Sequence, residues 1–210
     1  MVLACSVALL ASATGPALAA TTPKRGVFAG KTSRGVPIRL TVSRDHKHVK
    51  ILYCKRTRVT ASDRTDTVVT VEPLNPSKAA DVKAASQTVV DHANGRLLVK
   101  SPKGWSPFGA GAAVMVTLEV PSGSTLDGTS AMGDFHVEGE LGTCTLKTSM
   151  GSLRLDVTGE LRAKTSFGDV TVDRVCGNAD VSTSSGDVRL GEIDGTAVVK
   201  NSNGVTEVDH

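Results

Sequence analysis

The chain has 210 residues, a formal charge of +3, 40% apolar and 21% charged residues, values of a globular chain and not of a disordered one. Four Phe, one Tyr and one Trp stand against 21 glycines, so a core must come from Val, Leu, Ile and Ala, which argues against an aromatic-lined ligand pocket. Beyond the N-terminal stretch no run of apolar residues is long enough to cross a bilayer as a helix.

Residues 1–19 read as a signal peptide: small and apolar, broken at Gly15-Pro16, and ending in Ala17-Leu18-Ala19 before Ala20. No Lys or Arg precedes Lys24, so the usual basic start is missing. Cys5 precedes most of the apolar stretch, which argues against lipidation. Cleavage after Ala19 leaves Cys54, Cys144 and Cys176, an odd number that excludes a complete set of internal disulfides. Free thiols suit a reducing compartment. The N-terminal stretch makes a secreted or cell-envelope location the first expectation, and the free thiols keep a cytoplasmic one as the alternative.

Residues 20–60 form a basic segment. Over residues 24–64 twelve Lys or Arg face Asp45 and Asp63, a net of +10, whereas residues 65–210 carry twelve bases and nineteen acids, a net of −7. Such a step points to an anionic partner. Val36–Val42 and Val49–Tyr53 alternate like strands about the polar turn Ser43–Lys47, which predicts a β-hairpin. Lys31, Arg34, Arg39, Arg44, Lys47, Lys50, Lys55, Arg56 and Arg58 are then either a solvated face or an anion-binding surface for an envelope polymer or lipid. Tyr53 alone could stack on a base, which argues against sequence-specific nucleic-acid binding. Gly30-Lys31-Thr32 is no phosphate loop, because Arg25 occupies the required glycine position and no helix follows.

Residues 61–210 are read as one β-repeat domain. It opens with a strand over Thr67–Val71, a Leu74–Ser77 turn, and the one helix candidate, Ser77–Gln87, with Ser77 as N-cap. Thr88–Asp91 and Arg96–Lys100 flank His92-Ala93-Asn94-Gly95 as a hairpin, Trp105–Gly111 is a loop, and Val114–Val120 is a strand.

Gly133, Gly151, Gly168, Gly186 and Gly204 then recur at intervals of 18, 17, 18 and 18, each closing a phrase such as Lys147-Thr148-Ser149-Met150-Gly151 or Lys164-Thr165-Ser166-Phe167-Gly168. Apolar residues fall two and four positions after each (Phe135 and Val137, Leu153 and Leu155, Val170 and Val172, Val188 and Leu190). A second pair follows, as in Cys144 and Leu146, after a turn glycine (Gly142, Gly159, Gly177, Gly195). Pairs two apart are strand spacing. The expected fold is all-β: a β-solenoid or β-helix-like stack of two-strand repeats of about 18 residues, after a small β-rich region with one short helix.

Asp134, Asp169 and Asp187 follow three of the glycines, but Ser152 and Val205 interrupt them, so turn chemistry is expected there and not a calcium column. Thr148, Thr165, Thr183 and Asn201 form a polar ladder suited to bonds between coils. His46-x-His48 lacks a third metal ligand, and Cys144 near His136 is separated by a turn, so no metal, cofactor or catalytic residue is assigned. A non-enzymatic protein is expected.

The phrases ASDRTDTVV, DVKAASQT, NGRLLVKSPK, VTLEVPSGS and the TSxxGD repeats resemble the bacterial β-strand-repeat family called "putative adhesin" or toastrack, in actinobacterial form, over about residues 61–210. The resemblance implies a β-helix-like stack, no catalytic residues, and in some members an association with envelope stress sensors. Relative to it the chain looks truncated at its C-terminal end, at Val205–His210, which predicts an open end able to self-associate. The function expected is binding of a protein or an anionic envelope polymer or lipid; a cytoplasmic interaction scaffold is the alternative.

Overall fold

A computed structural model describes residues 27–28, 38–42, 48–93, 95–102 and 111–209. The signal-peptide reading of residues 1–19, the positions Lys31, Arg34, Arg44, His46 and Lys47, and most of the Trp105–Gly111 loop lie outside the described residues.

The first strands are β1 (Val27–Phe28), β2 (Ile38–Val42), β3 (His48–Leu52), β4 (Arg56–Ser62) and β5 (Thr67–Pro73). Helix α1 (Ala79–Ser86) follows, then β6 (Val89–Ala93), β7 (Arg96–Lys100) and β8 (Val114–Pro121). The repeat region comprises β9 (Thr125–Thr129), β10 (Asp134–Leu141), β11 (Cys144–Lys147), β12 (Leu153–Thr158), β13 (Leu161–Lys164) and β14 (Val170–Val175). It closes with β15 (Ala179–Thr183), β16 (Val188–Ile193), β17 (Ala197–Asn201) and β18 (Thr206–Val208).

Among the described residues these strands form two nine-stranded sheets. The first runs β1-β6-β7-β3-β9-β11-β13-β15-β17, the second β18-β16-β14-β12-β10-β4-β8-β5-β2. Each coil gives one strand to each sheet, and successive coils pair in parallel: Phe135 opposes Leu153, Leu153 opposes Val170, and Val170 opposes Val188. This is the β-solenoid-like stack that the glycine spacing predicts. The apolar positions face inward because alternate side chains of a strand point to opposite faces, and only one face of each sheet has a partner to bury against. Phe135, Leu153, Val170 and Val188 are each at most 1% exposed.

The two strands expected to pair as a basic hairpin do not pair with each other. β2 runs antiparallel to β5 in the second sheet, whereas β3 lies between β7 and β9 in the first. β4 in turn lies between β8 and β10, so residues 48–62 form a complete coil inside the stack. The reason is burial: Val49, Ile51 and Val59 carry apolar side chains that an isolated hairpin has no second layer to cover, and here they are at most 2% exposed. The hairpin expected at residues 88–100 does form, as β6 against β7.

Helix α1 begins later than the sequence suggests, with Lys78 at the N-cap and no side-chain capping bond. Ser77 is drawn into the preceding turn, where its N–H donates to Asn75 Oδ1 at 2.9 Å. Buried Asp81 anchors the helix instead, accepting the N–H groups of Asn75 at 3.2 Å and Ala113 at 2.9 Å. Ala84 and Ala85 are its buried apolar side chains, small enough for close packing.

Candidate binding face

The corner where the chain leaves the first sheet for the second is built by the repeated phrase itself. The threonine turns inward: Thr165 Oγ1 donates to Gly151 O at 3.3 Å, and Thr183 Oγ1 to Gly168 O at 3.4 Å. Asn201 Nδ2 continues the ladder to Gly186 O at 3.1 Å, and Ser130 Oγ begins it on Cys54 O at 2.8 Å. The aspartates after the glycines are also structural. Oδ1 of Asp134, Asp169 and Asp187 accepts the N–H of Ser152, Asp187 and Val205 at 3.0, 2.9 and 3.0 Å, each on the next coil that aligns with it.

With the threonine inside, the residues on either side of it are left outside. Lys147 and Lys164 end adjacent parallel strands in direct register, so two ammonium groups project from neighbouring rungs roughly 4.8 Å apart. The same row continues through Ser182 to Lys200. All three lysines are exposed. Three residues further on, backbone bridges link Met132 to Met150 and Met150 to Phe167. Those side chains are 49%, 52% and 58% exposed, a continuous apolar ridge along the corner. Ser149 and Ser166 lie between the lysines and the ridge. In the next coils Ser185 and Asn203 take the ridge position.

Of the basic residues singled out in the sequence, those whose side chains are described lie on different faces. Lys50 is on the outer face of the first sheet, 3.1 Å from Asp127. Arg56 and Arg58 are on the outer face of the second sheet, and Lys55 is exposed just before β4. β2 places Arg39 opposite Thr70, in the register row that reaches Arg58 through Thr117. Arg58 adjoins His136 and, one strand on, Arg154. Carboxylates flank that row, however: His136 Nε2 lies 3.0 Å from Glu138, and Arg189 bonds Glu207 at 3.0 Å and Asp187 at 3.4 Å. The second sheet therefore has a charge-mixed face, while Lys147 and Lys164 form no ion pair among the described residues.

Two of the described thiols, Cys54 and Cys144, are buried. Cys144 faces the core, and burial pushes its pKa up to about 11, opposed by a hydrogen bond from Thr158. Burial likewise pushes Cys54 up to about 11, against the bond to Ser101. His136 is on the outer face of the second sheet, so it does not serve Cys144 as a base.

The sequence reading assigns the repeated phrase to turns and to a polar ladder between coils, which leaves the lysine row and the ridge without a role. The available signal was the large apolar residue before the glycine, which a turn does not require.

No family model matches the sequence, and no curated protein matches it. Solved structures resemble it in part, among them the following three. A "putative adhesin" from Parabacteroides distasonis shares 11% identity over 84% of this chain and 98% of its own, with a TM-score of 0.42. A "putative cell adhesion protein" from Clostridium sporogenes shares 8% over 83% of this chain and all of its own, with a TM-score of 0.41. A "putative lipid binding protein" from Parabacteroides distasonis shares 12% over 84% and 97%, with a TM-score of 0.35.

Proposed function

We propose that the chain is a non-enzymatic, adhesin-like binding protein of the cell envelope that holds an anionic surface against the lysine-bearing corner of its first sheet. The observation that carries this reading is the register of Lys147 against Lys164. Two exposed ammonium groups on neighbouring strands repel each other, and an anion between them relieves that repulsion. Aligned coils repeat such positions along a line, as an extended partner requires and a small substrate does not.

Salt-sensitive retention on isolated anionic envelope material tests the reading. Retention should fall between low and high ionic strength, because exposed charges are screened beyond about 10 Å at 0.1 M salt. It should also fall in a Lys147→Gln/Lys164→Gln variant; unchanged retention would overturn the role given to this corner. Deleting the basic segment is no substitute, since β3 and β4 are central strands. The envelope location is checked separately, by mass spectrometry of the N-terminal peptide after fractionation of the host. A peptide starting at Ala20 in the envelope or medium supports export. An intact start in the cytosol favours the interaction-scaffold reading, with which the exposed free thiol of Cys176 agrees.

A further inference from the structure

The stack does not require the apolar ridge formed by Met132, Met150 and Phe167. Ser185 and Asn203 hold the equivalent backbone positions without an apolar side chain, and Phe167 bridges to Ser185 as Met150 bridges to Phe167. About half of each ridge residue is exposed to water. Contiguous exposed apolar side chains of this kind mark an interaction site.

Two features narrow the partner. The ridge follows a corner of the stack, with the exposed lysine row beside it, so apolar and cationic columns run parallel at a constant offset over successive coils. The phosphate–acyl boundary of an anionic bilayer has the same order: an apolar layer to receive Met and Phe, and phosphates just outside it to receive Lys. The aspartates on the far side of the ridge, Asp134 and Asp169, are exposed carboxylates that an anionic surface avoids, so the lysine side of the ridge is the side with matching charge.

Resting on the binding reading above, we infer that this corner docks on an anionic lipid surface, with Met150 and Phe167 entering the headgroup–acyl boundary and Lys147 and Lys164 contacting headgroup phosphates. The thioether side chains of Met132 and Met150 are flexible enough to fit a fluid surface. Ser149 and Ser166 supply hydroxyl donors between the two columns.

Co-flotation of the full chain with phosphatidylglycerol–phosphatidylcholine vesicles, and with phosphatidylcholine vesicles alone, tests this directly. Comparing variants of the same full chain cancels any contribution from the apolar N-terminus. A Met150→Ser/Phe167→Ser variant copies the residue the chain itself uses at Ser185, so its thermal unfolding should match the parent's. Its partitioning into the anionic vesicles should fall about tenfold or more. Lys147→Gln and Lys164→Gln should each weaken binding about fivefold on anionic vesicles and not at all on neutral ones.

Equal vesicle binding by the parent and the serine variant overturns the inference. If that result comes with lysine-dependent retention on envelope polymer, the binding reading stands without the lipid. If the lysine substitutions change neither retention nor vesicle binding, both fall. A parent that light scattering shows to be a dimer, a monomeric serine variant and equal vesicle binding would make the ridge a contact between copies and overturn the lipid assignment.

Discussion

Asp169 Oδ1 accepts the backbone N–H of Asp187 at 2.9 Å, eighteen residues away in sequence and one coil away in space. The repeat therefore caps its own strands: the carboxylate of one coil satisfies an amide at the entry of a strand in the next, as an N-cap residue does for a helix. Asp169→Ala should lower stability by about 1 kcal/mol, and Asp169→Asn by less, because an amide oxygen still accepts. Urea unfolding monitored by circular dichroism checks both. The converse is sharper. Ser152 stands where its neighbouring coils carry aspartate, so Ser152→Asp should raise stability by about 0.5 kcal/mol through the amide of Asp169; a lowered midpoint would mean that the carboxylates act some other way.

The repeat glycines are fixed by contact between coils. Gly168 has φ near +141°, and a Cβ there would overlap the carbonyl oxygen of Gly151. That oxygen also accepts the hydroxyl of Thr165, so it cannot move aside without losing a bond. Gly168→Ala should cost about 3 kcal/mol or more, combining backbone strain with a clash. Gly123 has φ near +74° but open space about its Cβ position, and Gly123→Ala should cost only about 1 kcal/mol. Equal losses at the two positions would contradict the stacking account.

The stack was legible in the sequence because its two constraints leave marks in one chain: a glycine where backbones nearly touch, and apolar pairs two residues apart. The partners of β3 and β4 were not legible. Val49, Ile51 and Val59 announce strands, but parallel pairing with β7, β8, β9 and β10 joins segments distant in the chain, and nothing local encodes such register. The hairpin expectation fails because it pairs the two strands nearest in the chain, whereas β2 pairs with β5 and β3 with β7 and β9. The candidate face was half legible. Lys147, Met150, Lys164 and Phe167 stood in the quoted phrases, yet only burial of Thr148 and Thr165 shows that the residues around them are left outside.

Thr57 is a place where the fold can be improved. It faces the core at 3% exposure, opposite Phe135 on one side and Val116 on the other, and its hydroxyl has no partner among the described residues. Burying an unbonded hydroxyl is unfavourable, and valine has almost the same shape. Thr57→Val should therefore stabilise the chain by about 1 kcal/mol, read as a higher urea midpoint with an unchanged slope. A loss of stability would show that the hydroxyl is satisfied after all.

The thiols should divide by burial. Burial raises Cys54 and Cys144 from 9.0 to about 11, so at about pH 8 both stay protonated as well as enclosed, whereas Cys176 is exposed. Iodoacetamide followed by peptide mapping should label Cys176 within minutes, and Cys54 and Cys144 only after denaturant is added. The same shifts set a pH limit. A thiol whose folded pKa lies above its unfolded value ionises more readily on unfolding, so its contribution to stability is complete below about pH 9 and declines as pH rises toward 11. Cys54→Ser leaves Cys144 as the one buried thiol of this pair and should flatten the decline between pH 9 and 11 by about half. An unchanged decline in that variant would assign the alkaline sensitivity to other groups.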